Sequence, residues 1–153
     1  MATSRNHDHV VIPFESRHMN GVRWIEEEHA KLFGVERALR QYAAHPAYSG
    51  FCDGDFVAAA GIIVPWIGLG EAWAIAGPLV QTHKTFFHRT IKDYLFTMAR
   101  QMKLRRLQAM VRAEYEHSHR WVQALGFVRE CVLHRYGIKG EDMVMYVMFP
   151  EQA

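Results

Sequence analysis

Ser118-His-Arg-Trp-Val-Gln-Ala-Leu-Gly-Phe127, continued by Val128-Arg-Glu-Cys-Val-Leu-His-Arg-Tyr-Gly137 and by Asp142-Met-Val-Met-Tyr146, is the stretch whose reading decides the fold. Glu116 to Leu125 reads as a short helix, and Gly126 stands where a helix ends in the left-handed conformation that glycine adopts without a steric penalty. Phe127 to Tyr136 and Met143 to Phe149 read as strands. The polar, glycine-bearing segment Gly-Ile-Lys-Gly-Glu-Asp between them suits a long hairpin.

Upstream of this stretch, Leu107, Ala109 and Val111 alternate with polar or basic neighbours, as a strand requires. Before them Phe87, Ile91, Tyr94, Leu95, Met98 and Met102 fall on one face of a long helix. Glu71 to Val80 reads as a strand that Gly77-Pro78 should bend or terminate, because proline cannot donate to a ladder. Tyr48 to Cys52 and Phe56 to Val64 read as a hairpin closed by Asp53-Gly54. Pro46 ends a helical region, Glu15 to Ala44, in which Gly34 marks a break. His9 to Phe14 is a short first strand. The order of strand, helix pair, three-strand meander, long helix, strand, short helix and two strands predicts a mixed α/β sheet of six to seven strands flanked by about four helices.

With 153 residues, half of them apolar and 22% charged, the chain has the size and composition of one globular domain. A single domain over residues 1–153 is expected, with 1–8 as a flexible N-terminus. The formal charge of +2 is scattered and forms no basic stripe, so nucleic acid is an unlikely partner. The longest apolar run, Val57 to Leu69, is broken by Pro65 and is too short to span a bilayer, so no membrane association is expected and the location is read as cytoplasmic. Cys52 and Cys131 lie in apolar strand-like segments without ligand spacing and read as buried free thiols. His7 and His9, like His117 and His119, form His-x-His pairs with no further ligand at spacing, so no metal is expected.

The C-terminal stretch resembles the end of domains of the GNAT superfamily of acyl-CoA N-acyltransferases, most closely the branch that acetylates ribosomal proteins. Ser118, Arg120, Leu125, Gly126, Phe127, Glu130, Leu133, Gly140 and Asp142 occupy the places of that signature, and the element order extends the likeness over nearly the whole chain. The resemblance implies acetyl-CoA, or another acyl-CoA, as cofactor. It also implies a splay between the strand ending near Val80 and the strand at Leu107 to Val111, with pantetheine in the gap and pyrophosphate at the start of the long helix. The acceptor would be an amine on a small molecule or a protein. A homodimer or an assembly partner is left open.

The same comparison marks a departure. Relatives write the phosphate loop as Gln/Arg-x-x-Gly-x-Gly/Ala, whereas this chain has Lys84-Thr-Phe-Phe87-His-Arg89, with Phe87 and Arg89 in place of the small residues. Leu79, Val80, Lys84, Thr85, Phe87, His88, Arg89 and Ser118 are therefore the candidate cofactor contacts, with side-chain charge standing in for backbone amides. The alternative is a solvated basic helix start. Glu71 is the candidate general base, against the alternative of a solvated charge at a strand end, and Tyr115 or Tyr136 is the candidate acid. Trp66 and Trp73 are candidates for the wall of an acceptor pocket. A second functional reading also follows from the altered loop. Short GNAT-like proteins of this kind resemble those of tailed bacteriophages, virion-associated ones included, which implies a binding or assembly module without catalysis.

Overall fold

Seven strands form one mixed sheet in the order β1-β2-β3-β4-β5-β7-β6 in a computed structural model of the protein, which describes residues 8–20 and 35–152. The strands are β1 (His9–Pro13), β2 (Ala47–Cys52), β3 (Asp55–Trp66), β4 (Leu69–Ala76), β5 (Arg106–Arg112), β6 (Val128–Leu133) and β7 (Met143–Met148). Three α-helices lie among the described residues: α1 (Val35–Ala43), α2 (Lys84–Gln101) and α3 (Glu116–Ala124). The helical reading of 21–34 and all but the last residue of the expected N-terminal tail 1–8 fall outside the described residues. Glu15 to Asn20, expected to open a helix, instead holds a 3-10 turn at Ser16–Met19. None of the described helices is long and apolar enough to cross a membrane.

Two compact units are distinguished, one of residues 1–61 and 74–87, the other of 62–73 and 88–153. In the first, β1 pairs antiparallel with β2 and β2 with β3. The β2–β3 hairpin turns through Asp53 at φ 50° and Gly54 at φ 86°, two consecutive left-handed residues that match the right-handed twist of the flanking strands. Gly61 lies opposite Ala47, and a Cβ there would come within 2.5 Å of the Ala47 Cβ and 2.6 Å of the Pro46 carbonyl oxygen. Val57, Ala58 and Ala59 of β3 are buried here, with Ser49 of β2.

In the second unit, α3 closes as its sequence demands. Gly126 at φ 107° donates to the Gln123 carbonyl and Phe127 N–H to the Val122 carbonyl, the paired bonds of a Schellman cap, with Val122 and Phe127 both buried. β7 pairs antiparallel with both β5 and β6. The β4–β5 ladder is the one parallel pairing described, and it covers three pairs only: Leu69 with Arg106, Gly70 with Leu107 and Glu71 with Gln108. Beyond Glu71, β4 continues through Ala72 and Trp73 while β5 runs on to Arg112. This early end of the ladder is the expected splay.

Two strand ends and one burial depart from the sequence reading. β4 stops at Ala76, and Pro78–Gln81, with Leu79 and Val80, form a 3-10 turn: Pro78 cannot donate to a ladder, and Gly77 N–H is bonded to the Val57 carbonyl at 2.9 Å. β6 ends at Leu133, where Arg135 takes φ 54°, so Tyr136 lies beyond the strand in a turn. Cys131 is exposed, because β6 is the edge strand of the sheet and most of its residues face solvent; Cys52 alone is a buried thiol.

Candidate functional site

Glu71 is the third residue of β4, not its first, so it sits within the ladder at the last paired position. Its side chain is half-buried, and its Oε1 accepts a hydrogen bond from Gln108 Nε2 at 3.0 Å. Gln108 Oε1 in turn accepts from Arg106 Nε at 2.9 Å. The Arg106 guanidinium forks onto both carboxylate oxygens of Glu130, with Nη1 to Oε1 at 3.0 Å. That bidentate pairing holds the Glu130 carboxyl below its ordinary range and raises the guanidinium's already high one. A chain of four polar side chains thus runs from the edge strand to Glu71. It fixes the Glu71 carboxylate at the point where the two parallel strands part, so the reading of Glu71 as a loose surface charge does not fit this geometry.

A second polar cluster gathers where β5 leads into α3. Arg112 is buried, its Nη1 donates to the Tyr115 hydroxyl at 2.6 Å, and its guanidinium carbon lies 4.9 Å from the Tyr115 ring centroid. Arg112 Nε is 3.7 Å from Glu141 Oε1, which balances the buried charge. His119 Nε2 lies 2.9 Å from the Arg112 carbonyl oxygen and 3.0 Å from that of Ala113. Carbonyls only accept, so Nε2 carries a proton, and in the neutral ring Nδ1 accepts from the Tyr146 hydroxyl at 2.7 Å. Tyr146 is 1% exposed, and this bond satisfies its buried hydroxyl. Tyr115, which precedes the first residue of α3, therefore holds a phenol whose oxygen accepts from a guanidinium and whose proton is left to give.

The remaining candidates are placed as follows. Tyr136 is 55% exposed in the turn after β6. Ser118 is half-buried in α3 with its N–H bonded to the Tyr115 carbonyl. Leu79 and Val80 are half-buried in the 3-10 turn. Lys84 is the first residue of α2, so Lys84-Thr-Phe-Phe87-His-Arg89 is helix and not loop. Lys84, Thr85 and Arg89 are exposed, His88 is half-buried, and Phe87 is 9% exposed. Trp66 is 64% exposed at the end of β3, and Trp73 is half-buried in β4.

Gln108, Arg112, Glu141 and Tyr146 were not singled out from sequence. Gln108 and Arg112 occupy a segment read only for its apolar alternation, and a buried arginine carries no local mark of burial. Tyr146 reads from sequence only as part of the last strand, and its hydroxyl has a partner 27 residues away in sequence.

No protein-family model and no curated protein matches the sequence. Solved structures do. The Salmonella typhimurium protein yncA, solved with its cofactor acetyl-CoA, superposes with a TM-score of 0.73 at 15% identity over 95% of each chain. The chain has the GNAT fold. A GNAT-family acetyltransferase from Bacillus anthracis matches at a TM-score of 0.68 and 16% identity, covering 94% of this chain and 95% of its own. The ribosomal-protein-S5-alanine acetyltransferase of Vibrio fischeri matches at 0.69 and 15%, covering 94% and 93%. The GNAT fold explains why β4 and β5 run parallel and yet share so short a ladder.

Proposed function

We propose that this chain is an acyl-CoA-dependent N-acyltransferase that moves an acetyl or other short acyl group to an amine. The observation that carries the reading is the half-buried Glu71 carboxylate, held by Gln108 at the last pair of the β4–β5 ladder. Beyond that pair, β5 from Ala109 to Arg112 runs outside the β4 ladder, and its backbone groups on that edge suit an extended amide chain such as pantetheine.

Acyl-CoA, when bound, supplies the acyl group already activated as a thioester. Glu71 takes the proton of the acceptor ammonium, directly or through one water, so that a neutral amine is available for attack. Gln108 keeps the carboxylate in one orientation, and Arg106 and Glu130 keep Gln108 in place. Tyr115 holds the proton that a departing thiolate requires, with the Arg112 guanidinium set where negative charge on the phenol oxygen would develop. Lys84, His88 and Arg89 in the first turns of α2 offer side-chain charge and ring N–H to phosphate, since glycine amides are not available there.

The helical course of Lys84 to Arg89 and the burial of Phe87 also support the second reading, a GNAT-fold binding or assembly protein without catalysis. Incubation with radiolabelled acetyl-CoA and a panel of amines separates the two: a polyamine, an aminoglycoside and a peptide with N-terminal alanine. Label transfer to one class, abolished in Glu71→Gln, supports the enzyme. Absence of transfer together with absence of acetyl-CoA binding supports the assembly protein.

A further inference from the structure

The first unit carries a cluster of side chains that acyl transfer does not use. His9 of β1, Cys52 of β2 and His83, the residue before α2, each present one ligand atom, and these atoms all lie within 4.8 Å of one another. The arrangement is fixed by backbone. His9 and Cys52 are directly opposite in the antiparallel β1–β2 register, which puts their side chains on the same face of the sheet. The start of β1 is tied to the β2–β3 turn by two bonds: Asp53 N–H to the Asp8 carbonyl and Asp8 N–H to Asp53 Oδ1, both 2.9 Å. His83 N–H donates to the Val80 carbonyl at 3.2 Å, and its own carbonyl accepts from Phe87 N–H at 2.9 Å as α2 begins.

Packing then orients the rings. The His9 imidazole stacks on Phe86, with centroids 4.0 Å apart and planes within 5° of parallel. Gly50 makes room for that phenyl ring, since a Cβ there would already be 3.3 Å from Phe86 Cε1. His9 Nε2 then faces His83 Nδ1 at 3.5 Å. Cys52 is 4% exposed, and its thiol points towards Asp53 Oδ2 at 3.7 Å.

We propose that His9, Cys52 and His83 form a binding site for one zinc-class divalent cation, with a fourth position open to solvent. Two imidazole nitrogens and one sulfur are a donor set that favours zinc over the hard cations magnesium and calcium. Tetrahedral zinc, with bonds of about 2.0–2.3 Å, sets its ligand atoms about 3.4–3.6 Å apart. The two histidine nitrogens already meet that spacing. The widest pair needs to close by about 1 Å, which small rotations of the exposed His9 ring and the half-buried His83 ring supply. On binding, the S–H bond of Cys52 breaks, its proton passes to solvent by way of the adjacent Asp53 carboxylate, and the sulfur's electron pair forms the metal bond. His9 binds through Nε2 and keeps its proton on Nδ1, while His83 binds through Nδ1 and keeps its proton on Nε2. The Asp53 carboxylate offsets the single positive charge left on the zinc–thiolate unit. No change of oxidation state occurs. The simpler account of the same geometry is a histidine pair sharing one hydrogen bond beside a thiol that donates to Asp53.

Cobalt(II) distinguishes the two, because a cobalt–thiolate bond gives a charge-transfer band in the near ultraviolet and tetrahedral cobalt gives intense visible bands. Titration of the metal-free full chain is expected to develop both bands to about one equivalent, and zinc is expected to bleach them at the same stoichiometry. Cys52→Ser is expected to remove the charge-transfer band, whereas Cys131→Ser, at the exposed thiol, keeps it. His9→Ala, at an exposed ring outside the core, is expected to weaken cobalt binding at least tenfold and keeps the test open should Cys52→Ser fail to fold. No cobalt binding at submillimolar concentration overturns the proposal. So does a charge-transfer band that survives in Cys52→Ser or disappears in Cys131→Ser, or affinity unchanged in His9→Ala.

Discussion

Replacing Glu71 with glutamine exchanges one carboxylate oxygen for an amide nitrogen at nearly constant volume. The hydrogen bond from Gln108 Nε2, now 3.0 Å to Oε1, can be kept by the new amide oxygen, and the three parallel pairs of the β4–β5 ladder are backbone interactions that the substitution does not touch. Fold and acyl-CoA affinity are therefore expected to stay close to wild type. The lost quantity is the proton acceptor. General-base catalysis contributes about 10²–10⁴-fold, so kcat/KM should fall by at least about 10²-fold, or about 2.7 kcal/mol of transition-state stabilisation. The assay is thiol release from acetyl-CoA with the preferred amine at one fixed pH. Gln108→Leu should cost less, about tenfold, because the carboxylate survives but loses its orientation. Combined with Glu71→Gln it should add nothing further, since both substitutions act through one group. Retention of wild-type kcat/KM in Glu71→Gln would refute the reasoning and return Glu71 to a structural role.

Further outcomes follow from other parts of the structure. Lys84→Ala with Arg89→Ala should weaken CoA binding by about 2 kcal/mol, roughly thirtyfold in Kd, at about 1 kcal/mol for each exposed charge; pantetheine, which lacks the phosphates, should bind both proteins alike by calorimetry. Gly61→Ala should destabilise the protein by about 3 kcal/mol in urea unfolding, the upper part of the range for overpacking, because the added methyl meets the Pro46 and Ala47 backbone and not a side chain that can move aside. His18 is buried, accepts from Glu15 N–H at 3.2 Å and meets Ser49 Oγ at 2.9 Å; burial first, then the neighbouring Arg17 charge, lowers its pKa. The unfolded chain then binds the proton more readily, so the His18 contribution to stability is fully present above about pH 6.5 and is lost as pH falls below it. His18→Asn should flatten the drop in urea midpoint between pH 7.5 and 5.5, and an equal drop in both proteins would contradict the assignment.

The fold was largely legible because its determinants are local. Asp53-Gly54 imposes the β2–β3 turn, Gly126 caps α3, and the 3.6-residue spacing of Phe87, Ile91, Leu95 and Met98 marks the core face of α2. Where the reading failed, a neighbour distant in sequence decided the outcome. β4 ends at Ala76 because Gly77 is bonded to Val57, and Cys131 is exposed because β6 lies at the edge of a sheet whose strand order no local pattern states. Glu71 is singled out through the strand that carries it. Its partner Gln108 is not, since the hydrogen bond joins residues 37 apart. His9, Cys52 and His83 share no spacing motif and meet only through the β1–β2 register and the entry into α2.

Calorimetric titration of the wild-type chain with acetyl-CoA tests the proposed function most directly, because the altered phosphate segment and the short β4–β5 ladder point in opposite directions about cofactor binding. The account predicts one-to-one binding with a micromolar Kd, weakened stepwise for dephospho-CoA and pantetheine as phosphates are lost. No detectable heat and no thermal stabilisation at millimolar acetyl-CoA would contradict it and leave the GNAT fold serving as a binding or assembly module.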